Sequence, residues 1–152
     1  MTVEPEVTFT FTGLDDVTAG EVGFTITTKV TNNGAIADNI PLRYKAVVTK
    51  DGSALANQVI KYPETGDDPG DLSTWHSFTT NAEGVAYFGP STGFTLTQLP
   101  ALLTAEGVTT PFQTSFAAAS YSVTVYLLDI SNDQEVVLGS GTETFTVAQA
   151  TP

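Results

Sequence analysis

The chain has 152 residues, enough for one domain that buries about 68–70% of the surface its unfolded form exposes. Seventeen Asp and Glu against five Lys and Arg give a formal charge of −12. No basic patch is left to neutralise phosphates, which argues against nucleic acid and anionic membranes as partners, and the lack of Cys excludes disulfides and thiolate-bound metals.

The charge is uneven. All five basic residues, Lys29, Arg43, Lys45, Lys50 and Lys61, precede Tyr62, so the segment up to Lys61 nets −2 and the remainder −10. Thr occurs 26 times, and a β-branched polar side chain suits the outward face of a pleated sheet. The opening "MTVEPEVTF" lacks the basic and apolar regions of a signal peptide, and no apolar run approaches a membrane span. The expectation is either a protein used without secretion or a piece of a longer secreted one.

The first predicted element is "VTFTFT", with Val7, Phe9 and Phe11 on one side and threonines on the other. "GLDDVTAGE" reads as a turn. A second strand places Val22, Phe24 and Ile26 inward and reaches Val30 before "TNNG", and a third carries Leu42, Tyr44 and Ala46 inward. "TKDGS" is a hairpin signal with "NQVIKY" as its returning strand. "PETGDDPGDLSTW" is a long polar loop, "GVAYF" a short strand, and "TLTQLPALLTAEG" an apolar segment of at most a few helical turns, since Pro100 opposes a long helix. Period-two alternation returns with Phe112, Thr114 and Phe116, then with Tyr121, Val123, Val125 and Leu127. After the turn "DISNDQE", "VVLGSGTETFTV" pairs back with Phe145 and Val147 inward and a bulge marked by Gly139 and Gly141. The pattern predicts an all-β, antiparallel sandwich of about 7–9 strands. It forms a single domain over 1–152, with a core over about 7–147 and linker-like tails at 1–6 and 148–152.

"TGLDDVTAGE", "STW", "YFGPSTGF" and the run from Phe116 to "YSVTVYLLD" follow one another in an order that resembles the immunoglobulin-like repeats of bacterial cell-surface and S-layer-associated proteins. Where that family usually has Gly before the Tyr of the late strand, this chain has "AAASY". The resemblance implies an immunoglobulin-like sandwich and a structural or adhesive role outside the cell. On that reading "GPSTGF" is a crossover, after which Phe94 and Leu96 plug the open side between the sheets.

Chemistry-bearing residues are sparse. His76 is the sole histidine, and neither a nucleophile elbow nor a phosphate-cradling loop is present, so an enzyme is not expected. Asp67, Asp68 and Asp71 in "DDPGD" are a candidate Ca²⁺ site, with Asp129 and Asp133 as a second acidic loop; solvated turns are the plainer reading of both. Trp75, Tyr87 and Phe88 are a candidate aromatic platform for a glycan, against the plainer reading of core closure. The strand phase points Lys29 and Lys45 outward, which disfavours an isopeptide cross-link.

The expected role is therefore a non-enzymatic structural or adhesive surface module in a larger extracellular assembly, with neighbouring copies or domains as protein partners. A virion decoration or appendage protein is the alternative, and a carbohydrate-binding module the second.

Overall fold

Alternating strands with one apolar side each must bury those sides against one another, and in the computed structural model they do so as two packed sheets. The structure describes residues 6–31, 41–64, 67–89, 94–95, 108–130 and 134–150. One sheet runs in the order β1 (Glu6–Thr12), β3 (Gly20–Thr31), β10 (Val108–Phe116), β6 (Val59–Tyr62) and β7 (His76–Thr79). The other runs β2 (Val17–Thr18), β12 (Val136–Ala148), β11 (Ala119–Asp129) and β4 (Pro41–Lys50). Along the far edge of β4 lie three short strands end to end: β9 (Phe94–Thr95), β8 (Val85–Phe88) and β5 (Ser53–Ala54). No helix occurs among the described residues.

The predicted inward sets are buried: Val22, Phe24 and Ile26 on β3, Leu42 and Ala46 on β4, Phe112 and Phe116 on β10, Tyr121 to Leu127 at alternate positions on β11, and Phe145 and Val147 on β12. Each fully buried apolar side chain contributes about 1.5–3 kcal/mol. Phe24 and Phe112 face each other across β3 and β10 and stack at 5.3 Å between ring centres. Tyr44 also points inward, where burial pushes its hydroxyl pKa up and a hydrogen bond with Thr28 of the opposite sheet partly offsets that.

The excess over the predicted strand number lies in β2, β5 and β9, two residues each, too short to show a period. β2 lies inside the predicted turn "GLDDVTAGE", crosses to the second sheet and pairs parallel to β12, Val17 opposite Val147. Asp51 and Gly52 form the predicted tight turn, both with positive φ (51° and 83°). Its returning strand, however, is only Ser53–Ala54, and "NQVIKY" supplies β6 of the other sheet. The bulge lies next to Gly139: Leu127 pairs with Gly139 and Leu128 with Val137, leaving Leu138 as the extra residue. Gly141 has a different role, because a Cβ there would lie 2.6 Å from Cβ of Phe9 on β1.

The apolar segment 96–107, the turn residues 90–93 with Leu96, and Asp133 lie outside the described residues. So does the side chain of Phe94, whose backbone pairs with Leu42.

Between β10 and β11 the Tyr121 hydroxyl donates to the Ala117 carbonyl at 2.5 Å. A tyrosine at the start of this strand that bonds back across the corner is a hallmark of immunoglobulin-like sandwiches, and the strand order and the parallel β2–β12 contact fit the same architecture.

Candidate functional site: the acidic loop and the tyrosine face

Two surface regions concentrate polar and aromatic groups. The first is the loop between β6 and β7, where Tyr62 and His76 are paired partners at the last and first strand positions. Tyr62 is buried among Phe78, Phe88 and Phe112, with ring centres 5.6–6.2 Å away. Its hydroxyl accepts from the Gly89 N–H (3.0 Å) and faces two acceptors for its single proton, Glu64 Oε1 (3.0 Å) and the Gly89 carbonyl (3.1 Å). Burial pushes the Tyr62 pKa up to about 12; the Gly89 N–H, which donates to the phenol oxygen, lowers it in part, and Glu64 and the charge of Asp67 raise it further.

Beyond Tyr62, His76 Nε2 lies 3.4 Å from Glu64 Oε2 and 3.5 Å from Asp67 Oδ1. Asp67 Oδ2 accepts from the Glu64 N–H at 2.5 Å. Asp68 accepts from the Gly70 N–H (2.9 Å), while Asp71 accepts from both the N–H and the hydroxyl of Ser73 (3.0 and 2.6 Å). Those two Ser73 donors hold the Asp71 pKa below its usual value. The three aspartates of the candidate Ca²⁺ site thus satisfy separate turns, Asp67 toward His76 and Asp68 and Asp71 toward their own loop. Among the described residues no group of three or more His, Asp or Glu is arranged to hold a metal ion.

Trp75 belongs to this loop, its indole N–H donating to the Asp68 carbonyl at 3.2 Å. Phe88 is 8% exposed and stacks on Phe78 at 4.8 Å. Tyr87, the residue before it, is 43% exposed, because consecutive strand residues point to opposite faces. The proposed aromatic platform is therefore divided: Phe88 is core, Trp75 is tied into a loop, and Tyr87 lies on the outer face of the second sheet.

Tyr87 anchors the second region. Lys45 is its partner across β8 and β4, and Tyr126 is the partner of Lys45 across β4 and β11, so the three form one row. The Arg43 guanidinium sits 5.9 Å above the Tyr87 ring, and the Lys45 ammonium 5.8 Å from that of Tyr126, within cation–π range. Glu135, just before β12, accepts from the Tyr87 hydroxyl and pairs with Lys45 at 3.3 Å. Its hydrogen bond with Tyr87 is the main reason the Glu135 pKa is lowered and that of Tyr87 raised. Lys29 is exposed and Lys45 lies on this outer face, as the strand phase requires. Sequence reading missed this region, since strand pairings that no local motif marks join residues 45, 87 and 126, and side-chain contacts add Glu135.

No family model matches the chain, and no curated protein does. Among solved structures it is similar to AvmM, which catalyses macrocyclisation in alchivemycin A biosynthesis, with 15% identity over 96% of this chain and 90% of that one and a TM-score of 0.50. It is also similar to AggA, the major subunit of aggregative adherence fimbriae type I from Escherichia coli, with 11% identity over 99% and 98% of the two chains and a TM-score of 0.41. At these identities the likeness to AvmM is one of fold alone, and that to AggA is too loose to carry an argument.

Proposed function

We propose that this chain is a non-enzymatic structural or adhesive module of a bacterial surface assembly, one unit of a larger array. The observation that carries the reading is the path of the chain through the sandwich. β1 starts beside the beginning of β12, where Val7 packs on Gly139, and β12 ends beside β2, where Val147 meets Val17. The polypeptide therefore enters at one pole and leaves at the other, about 25 Å further along the strand direction. A sandwich threaded this way is suited to joining in series with others along its strand direction.

The surface chemistry supports the same reading: threonines pair across the outer faces of neighbouring strands, as Thr27 does with Thr109 and Thr124 with Thr142, and the acidic turn at Asp68 and Asp71 bonds within itself. A fold shared with a macrocyclase does not decide against this role, because activity resides in a site and not in a sandwich. Among the described residues no helix is long and apolar enough to cross a membrane.

Antibody raised against the folded domain should label intact cells of the source organism, and external protease should remove the signal. Labelling that appears only after lysis overturns the surface placement, and recovery with phage particles selects the virion alternative. Binding on a glycan array that Trp75→Ala abolishes would favour the carbohydrate-binding reading.

A further inference from the structure

Among the described residues β12 pairs with β11 from Val136 to Val147, while its other side meets only β2, at Val147 and Ala148. Which groups look out from that second side follows from strand geometry. The Ala148 carbonyl accepts from the Ala19 N–H at 2.8 Å, so the main-chain groups of Ala148 point toward β2. Alternation along the strand points those of Thr146, Thr144, Thr142 and Ser140 the same way. The bulge at Leu138 ends this run on one side and β2 ends it on the other, with Thr146 abutting β2. Between them Ser140, Thr142 and Thr144 offer N–H and C=O groups to an open edge.

A sheet edge of this kind is commonly guarded by Lys, Pro, a bulge or a covering segment, because it is a template for another strand. Here the bulge guards only the start of the strand. From Gly139 to Thr146 there is neither Lys nor Pro, and the single charge is the inward-facing, half-buried Glu143, in a chain of charge −12. β1 covers the inner face of the strand, Val7 against Gly139 and Phe9 against Gly141, and forms no ladder with it. Beside Thr144 and Thr146 the turn from Leu14 to Thr18 leaves a groove of about 590 Å³.

We propose that a second copy of this chain pairs its own β12 antiparallel with this edge, about a twofold axis at Thr142. The open window is symmetric about that residue: Thr142 faces Thr142 of the second copy, and Ser140 and Thr144 face its Thr144 and Ser140. Each facing pair exchanges two N–H···O bonds, as in any antiparallel ladder. Neighbouring registers are worse. Centred on Glu143, the strands would set two like charges directly opposite, whereas centring on Thr142 puts Glu143 across from Gly141. Centred on Thr144, Ser140 would meet Ala148, whose carbonyl is already bonded to Ala19. With Thr142 on the axis, the start of the second strand enters the groove beside Thr144 and Thr146. Self-pairing of this edge closes at two copies. The contact is small and therefore weak, and because both copies carry −12, salt strengthens it by screening their repulsion. This lateral contact goes beyond the surface-module reading and is measured on the purified chain, so it stands or falls separately from cell-surface labelling.

The test is sedimentation velocity of the full chain over a range of concentrations, at low and at physiological ionic strength. Wild type should show a monomer–dimer equilibrium with a Kd below about 1 mM, tighter at the higher salt, and nothing larger than the dimer. Thr142→Pro removes an N–H that faces the edge and not β11, the one side on which a strand tolerates proline, so it should weaken the dimer at least about tenfold while circular dichroism shows the fold kept. The chain has no Cys, so Thr142→Cys supplies a second readout. Facing residues of a hydrogen-bonded antiparallel pair have Cα atoms about 5.5 Å apart, within disulfide range. Under mild oxidation Thr142→Cys should therefore cross-link into dimers at least about tenfold faster than Thr49→Cys, which lies on β4 beyond β11. Should Thr142→Pro fail to fold, the two cysteine rates decide. A wild type that stays monomeric up to about 1 mM, assemblies that grow past the dimer, a folded Thr142→Pro that dimerises like wild type, or equal cross-linking rates each overturn the proposal.

Discussion

Tyr121 and Ala117 close the corner between the two sheets: the phenol donates to a carbonyl four residues upstream, and its ring stacks on Phe145 with centres 5.6 Å apart. The hydroxyl and the ring can be separated by mutation. Tyr121→Phe keeps the ring and loses one hydrogen bond, so it should cost about 1 kcal/mol in chemical denaturation, while Tyr121→Ala also empties a core position and should cost about 3–5 kcal/mol. Equal losses for the two variants would show that the hydroxyl, and not the packing, holds the corner.

Gly141 is small because Phe9 needs its space. Gly141→Ala should cost about 1–3 kcal/mol by overpacking, since the new Cβ meets a side chain rooted in the backbone of β1. In a Phe9→Gly background, which removes the Cβ that the new methyl would meet, the same substitution should become nearly neutral, a coupling that a double-mutant cycle reads directly. Additive costs would show that Gly141 serves the strand backbone instead.

How much of this was legible in the sequence follows from the range of the interactions. Period two fixed the facing of Phe24, Phe112, Val123 and Phe145, because alternation is a local property of a strand. Asp51-Gly52 fixed a turn for the same reason. Strand pairing was not legible: "NQVIKY" follows a hairpin turn but crosses to the other sheet, since the edge of β4 it would have occupied is filled by Val85–Phe88, some thirty residues away. Of the candidate platform, Tyr87 and Phe88 could have been separated from the sequence by alternation alone. The Tyr87–Glu135 contact could not, for it spans 48 residues and three strands.

The raised pKa of Tyr62 makes stability depend on alkaline pH. An acid whose pKa is higher folded than unfolded holds its proton longer in the folded state, so its contribution is complete below pH 10, the unfolded value, and is lost as pH rises toward about 12. The expected loss across that window is on the order of 1–2 kcal/mol, reduced from the full shift because the hydroxyl borders a solvated loop. Tyr62→Phe should start lower by about 1 kcal/mol at pH 8 and then fall less steeply, the remaining slope coming from the other tyrosines. A variant whose stability declines in parallel with wild type between pH 10 and 12 would remove Tyr62 as the cause.

The acidic loop carries its own reporter, since Trp75 is the single tryptophan and its indole is bonded to the Asp68 carbonyl. Thr74→Val keeps the side-chain shape but removes the hydroxyl that links Asp68 to Asp71. The loop should loosen, Trp75 emission should shift to the red, and global stability should change by less than about 1 kcal/mol because the loop lies outside the core. Calcium at ~1 mM, the range in which extracellular modules bind it, should leave the wild-type emission and melting temperature where they were. Asp68 and Asp71 already accept from Gly70 and Ser73, and turning them toward a common ion would break the turns that order the loop. A calcium-dependent emission change in wild type that Asp71→Asn removes would show instead that the loop rearranges to bind the ion.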